Sequence, residues 1–115
     1  MQDCIFCKIG KHEIPTNVEF ENDSVISFPS NDPVAEFHFI IIPKKHIISV
    51  LDIEDNDKDI FMEMVKAAEH LIKEKNISDG YKLIFNGGKY QSIKHLHWHL
   101  LAGKLEEGSK PENRT

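Results

Sequence analysis

The sequence lacks most of what marks a secreted, membrane-bound or polyanion-binding protein. Its longest apolar run, Phe37 to Pro43, is strand-length and far short of the roughly 20 residues a bilayer span needs. The N-terminus has no basic start leading into an apolar stretch, as an export signal would. Cysteine is scarce, with Cys4 and Cys7 the only two. Without an export signal they are expected in a reducing compartment, the cytoplasm or also the nucleus. There a C-x-x-C pair is more often a metal or redox site than a structural disulfide. Positive charge is outweighed: 14 Lys and Arg against 19 Asp and Glu give a net charge of −5, which argues against binding along a phosphate backbone. Neither nucleic acid nor a membrane is expected as a partner. Internal repeats and low-complexity blocks are also missing, which excludes solenoids and linkers.

What is present fits one domain spanning residues 1–115, with enough apolar residues for a real core. Cys4 to Gly10 reads as a short helix with Ile5, Phe6 and Ile9 on its apolar side. Val18 to Glu21 and Ser24 to Phe28 read as a hairpin turning at Asn22-Asp23, and Pro29 to Pro33 reads as a loop. His38 to Ile42 is too apolar to have a wet face and is predicted to be a central strand. Pro43 to His46 forms a basic corner. From Asp57 to Lys75, apolar residues recur every three or four positions, predicting a long amphipathic helix. Tyr81 to Phe85 is a further strand, and Asn86-Gly87-Gly88 opens a loop running through Gln91 and Ser92. The prediction is an α+β domain: an antiparallel sheet of about five strands, one long helix and a short N-terminal helix, with a polar tail, expected to be mobile, from about residue 104.

The most informative stretch follows that loop. His95, His97 and His99 alternate with Leu96, Trp98 and Leu100, which predicts a strand carrying three imidazoles on one face and an apolar opposite face. Each imidazole lies roughly 6.5 Å along the strand from the next, so the rings can converge on one small ligand. Three polar rings on one face have little packing rationale. Two chemistries remain: zinc ligation through H-x-H, or nucleophilic catalysis by one imidazole assisted by another. Asn86, Gly87, Gly88, Gln91 and Ser92 just upstream favour the second, because amide and hydroxyl donors beside a close backbone suit a phosphate. His12, His38 and His70 show no partner pattern, so a surface or core role is expected for each.

Gln91-Ser92 followed by His95-Leu-His97-Trp-His99-Leu-Leu-Ala-Gly resembles the signature of the histidine triad superfamily. Cys4-Ile-Phe-Cys-Lys-Ile, Glu13-Ile-Pro, Ile-Pro-Lys-Lys-His46, Gly80-Tyr and Asn86 extend the resemblance, in order, to its nucleotide-binding Hint branch over nearly the whole chain. That resemblance implies a homodimer whose two sheets join. It also implies a purine nucleoside phosphoramidase, releasing a nucleoside monophosphate such as AMP or GMP through a nucleotidyl-histidine intermediate. His97 would be the nucleophile and His99 the phosphate contact. Asn86, Gln91 and Ser92 would hold the phosphate and leaving group. Ile5, Phe6, Ile9 and Phe28 would line the base pocket, and plain core packing explains each of these equally well. In zinc-carrying relatives the first triad histidine is a ligand, which implies a structural zinc on Cys4, Cys7, His46 and His95. The family places His-Asp after its second strand, whereas this chain has Pro29-Ser30, leaving the ribose to Ser30, Asn31 or Asp32. The loop between Asn86 and Gln91 is shorter than usual, and the tail lacks Trp-Pro-Pro-Gly. The alternatives are a nucleotide-binding interaction protein with little turnover and a dinucleoside polyphosphate hydrolase.

Overall fold

The computed structural model describes residues 4–105. In chain order its elements are α1 (Ile5–Gly10), β1 (Phe20–Glu21), β2 (Val25–Pro29), β3 (Ala35–Pro43), α2 (Lys58–Glu74), β4 (Tyr81–Phe85) and β5 (Trp98–Leu105). The five strands form one antiparallel sheet in the order β1-β2-β3-β5-β4. This is the predicted α+β architecture, with the apolar strand β3 at its centre.

Strict alternation along the central strands divides the interior in two. Val25, Phe39, Ile41, Trp98 and Leu100 face α2 and pack on Met64, Ala67, Ala68 and Leu71. Ile26, Phe28, Ile40 and Ile42 point the other way, onto Phe6 and Ile9 of α1. Each such side chain taken out of water stabilises the fold by about 1.5–3 kcal/mol before entropy is counted. The histidine-bearing edges of β3 and β5 therefore lie on the thinner, α1-covered face.

The turns follow local chemistry. Asn22 Oδ1 accepts from the backbone N–H groups of Ser24 and Val25, at 2.9 Å each, which closes the predicted β1–β2 hairpin. The acidic run ahead of α2 is two 3-10 turns, Val50–Asp52 and Asp55–Asp57, the second closed by a reciprocal capping box between Glu54 and Asp57. Lys45 Nζ donates to Asp57 Oδ1 at 2.6 Å, tying the basic corner after β3 to the start of α2. Lys104 and Leu105 belong to β5, and the rest of the expected tail, residues 106–115, lies outside the described residues.

Candidate active site

The three alternating histidines do not share one strand. The β5 ladder begins at Trp98, so only His99 lies in it, while His95 and His97 precede it. The cause is competition for backbone groups. Leu96 N–H donates to the carbonyl of Ile47 at 2.6 Å, and the carbonyl of His95 accepts from His97 Nδ1 at 2.8 Å. The alternation of faces survives this departure. Leu96, Trp98 and Leu100 enter the α2-side core, and the three imidazoles are buried on the α1 side.

These hydrogen bonds make the rings unequal. A carbonyl can only accept, so the bond from His97 to the His95 carbonyl puts the His97 proton on Nδ1. Nε2 is then the nitrogen with the lone pair, as a nucleophile requires. His99 is set by a longer chain. The backbone N–H of Val34 donates to His38 Nδ1 at 3.0 Å, so His38 carries its proton on Nε2 and donates to His99 Nδ1 at 2.9 Å. His99 must therefore hold its own proton on Nε2, a fully buried N–H with no hydrogen-bond partner among the described residues. Burial pushes the His99 ring down to about 3, with the neighbouring His97 and His38 adding to the effect. His99 is thus a neutral donor, and the rings of His97 and His99 stand 5.1 Å apart.

His38 has a partner after all. It sits on β3, on the same face as Ile40, whose register partner on β5 is His99. The signal was its place in the run Phe37 to Ile42, where a histidine in a two-sided apolar strand must find a hydrogen bond inside the protein. His12 and His70 remain at the surface, His12 against Glu21 and His70 against Glu74 and the Phe20 ring.

Cys4, Cys7, His46 and His95 come together, their ligand atoms all within 4.8 Å of one another. Cys4 Sγ is 3.2 Å and Cys7 Sγ 3.5 Å from His95 Nδ1, and Cys7 Sγ is 3.2 Å from His46 Nδ1. Tetrahedral zinc would set such sulfur and nitrogen atoms roughly 3.6 Å apart. The donor chemistry fits as well. His95 Nε2 donates to the carbonyl of Pro43 at 2.7 Å, which leaves the lone pair on Nδ1, aimed at the thiols. Burial pushes His95 down to about 4, keeping it neutral, and pushes the Cys7 thiol up to about 11, so a bound cation would be needed to hold the thiolate.

Beside the imidazoles lies a cleft of about 390 Å³. Its apolar walls include the expected Ile5, Phe6, Ile9 and Phe28, and its rim includes Ser30 and Asn31. Ile14, Pro15, Thr16 and Asn17 also line it, a segment with no periodicity to mark it in the sequence. Phe6 joins cleft to imidazoles: its ring is 5.1 Å from that of His97, 5.9 Å from that of His95 and 5.7 Å from that of Phe28. No lining residue is ionisable, so the cleft suits a flat, uncharged group. Gln91 is buried, and its amide nitrogen donates to the carbonyls of Ile48 at 2.6 Å and Ile93 at 2.9 Å, anchoring the loop. Asn86 is half-buried just past β4, and Ser92 is exposed next to Gln91.

Comparison with known proteins places this geometry in a family. The family described as scavenger mRNA decapping enzyme C-term binding matches residues 3–114. Protein HitA of Neisseria gonorrhoeae is 32% identical over 103 residues, covering 88% of this chain and 96% of its own length. A histidine triad protein from Clostridium difficile is 40% identical with a TM-score of 0.86, covering 96% of this chain and 98% of that one. A HIT family hydrolase from Clostridium thermocellum is 38% identical with the same TM-score of 0.86, covering 96% and 97%.

Proposed function

Since the chain belongs to the histidine triad family, we propose that it is a hydrolase of nucleoside monophosphate derivatives, acting as a purine nucleoside phosphoramidase. The observation that carries this reading is the hydrogen bond from His97 Nδ1 to the His95 carbonyl. It leaves the lone pair of a buried imidazole on Nε2, beside an apolar cleft of nucleoside size. In the name of the C. thermocellum relative the activity is hydrolysis, and the same is proposed here.

In the proposed reaction the purine lies between Phe6, Ile9 and Phe28, and Ser30 and Asn31 meet the ribose. His97 Nε2 attacks the α-phosphorus, forming a P–N bond as the amine leaves with its electron pair and takes up a proton. Water then attacks the same phosphorus, releasing AMP or GMP and restoring the imidazole. The buried Nε2–H of His99 donates to a non-bridging phosphate oxygen. A donor of this kind, where it meets the developing charge, contributes about 10²–10³ in rate. Asn86 and Ser92 contact the leaving-group side. Splitting hydrolysis into two displacements frees the site from any one leaving group.

Cys4, Cys7, His46 and His95 would hold the structural zinc. It would supply a charge that keeps both sulfurs as thiolates and joins the N-terminal segment to the sheet. We also assign the protein as a homodimer. The edge strand β4 leaves Tyr81, Leu83 and Phe85 roughly half exposed, on the same face as Trp98 and Leu100, while α2 packs chiefly over β1 to β3. An apolar, unpaired edge of this kind suits a second copy of the same strand.

Incubation with an adenosine phosphoramidate should release AMP, and His97→Ala should abolish release while its circular dichroism stays that of the parent and its thermal unfolding stays cooperative. Equal turnover by the variant would remove the assignment. The commitment of the Gln91 amide nitrogen to the loop favours a second reading, a nucleotide-binding protein with little turnover. AMP binding without release of AMP from any phosphoramidate would select it.

A further inference from the structure

Helix α1 serves two sites at once. Cys4 and Cys7, at its start and in its first turn, furnish half of the Cys₂His₂ cluster. Ile5, Phe6 and Ile9, interleaved with them, furnish one wall of the cleft. We propose that metal binding and nucleotide binding are thermodynamically linked through α1, so that each tightens the other. The proposal rests on the nucleotide reading of the cleft.

The physical basis is the weakness of α1 alone. It has six residues, and a helix this short has no intrinsic stability in water, since nucleation costs more than so few hydrogen bonds return. Two sets of contacts order it. On one side Cys4 Sγ accepts from Cys7 N–H at 3.4 Å, and the two thiols meet His95 and His46. On the other, Phe6 and Ile9 pack on Ile26, Phe28, Ile40 and Ile42. A cation shared by two α1 side chains and two residues of the sheet side fixes the helix in place. The cleft wall is then already ordered when the nucleoside arrives. A nucleoside packed on Phe6 and Ile9 equally positions the thiols, and linkage requires the two effects to be equal in size. Phe6 is the mechanical joint, because its ring touches both His95, a cluster member, and His97.

The test uses zinc and AMP as probes on the full chain and reads binding rather than turnover. AMP affinity is measured by calorimetry on zinc-loaded and chelator-treated protein, and zinc affinity by competition with a chromophoric chelator with and without AMP. Loading should tighten AMP by about tenfold, and AMP should tighten zinc by the same factor. Amide hydrogen exchange of residues 5–10 should slow on adding zinc alone. His46→Ala removes a cluster member that lies outside both α1 and the cleft, so it should bring AMP affinity to the chelated level even in zinc. Equal AMP affinity in both metal states overturns the linkage and leaves the nucleotide reading intact. Zinc that binds and slows exchange in α1, with AMP binding neither form, overturns the nucleotide reading and the linkage with it.

Discussion

The imidazole of His99 is fully buried, and burial holds it neutral down to about pH 3. In the unfolded chain a histidine takes up its proton near 6.5. Between these values the unfolded state binds more protons than the folded one, so stability falls as pH falls, from about 6.5 towards 3. Urea unfolding at pH 6.5 and 5 should therefore show a larger loss in the parent than in His99→Asn, whose side chain does not titrate. His38 carries a prediction of a different kind. Its replacement by Ala removes the donor to His99 Nδ1, leaves that buried acceptor unpaired and releases the tautomer that presents Nε2–H. Turnover of an adenosine phosphoramidate should fall by about tenfold or more, while KM changes little, because His38 is not among the cleft residues. His95, His97 and His99 were legible as a set, since period-2 alternation reports a shared face. Their separate roles came from the family resemblance and not from the alternation, because a tautomer depends on which backbone carbonyl or ring lies opposite, and no spacing in the chain encodes that.

The elements differ in how far each is written into its own residues. α2 runs from Lys58 to Glu74, almost the span its apolar repeat predicts, because its core-facing stripe and its local propensity agree. β3 is longer than its apolar centre, extending from Ala35 to Pro43 to match β2 on one side and β5 on the other. The predicted strand Val18 to Glu21 shortens to Phe20–Glu21, paired with Ser27 and Ile26 of β2, and Glu19 keeps one bond to that strand, its N–H donating to the Ser27 carbonyl at 2.8 Å. Leu71 is fully buried at the centre of the α2-side core. Leu71→Ala should cost about 2–5 kcal/mol in chemical denaturation. The cleft lies across the sheet, so AMP affinity measured well below the midpoint should hold. At the end of β5, Gly103 has φ +76, and a Cβ there would stand 2.5 Å from Glu36 Oε1. Gly103→Ala should therefore lose about 1–2 kcal/mol from backbone strain alone, read in the same denaturation.

For the whole molecule, the open edge at β4 carries the proposed dimer. Leu83→Lys places a charge on the half-exposed apolar face of that strand and should convert a dimer to a monomer in sedimentation at micromolar concentration. A parent already sedimenting at the mass of one chain would remove the dimer. Cys4 and His95 of the Cys4, Cys7, His46 and His95 cluster lie 91 positions apart, so spacing alone marks only the C-x-x-C pair, and the resemblance supplied His46 and His95. The cleft was legible in part: the resemblance supplied Ile5, Phe6, Ile9 and Phe28, whereas Ile14, Pro15, Thr16 and Asn17 come from a segment with no periodicity to mark it. The division of the sheet also governs how the protein tolerates change. From residue 96 to residue 100, neighbours one step apart differ in role: Leu96, Trp98 and Leu100 hold the α2-side core, and His97 and His99 are the proposed catalytic pair. In a saturation mutagenesis scan that scores soluble abundance and activity separately, activity should suffer more than abundance at His97 and His99, and abundance more directly at Leu96, Trp98 and Leu100.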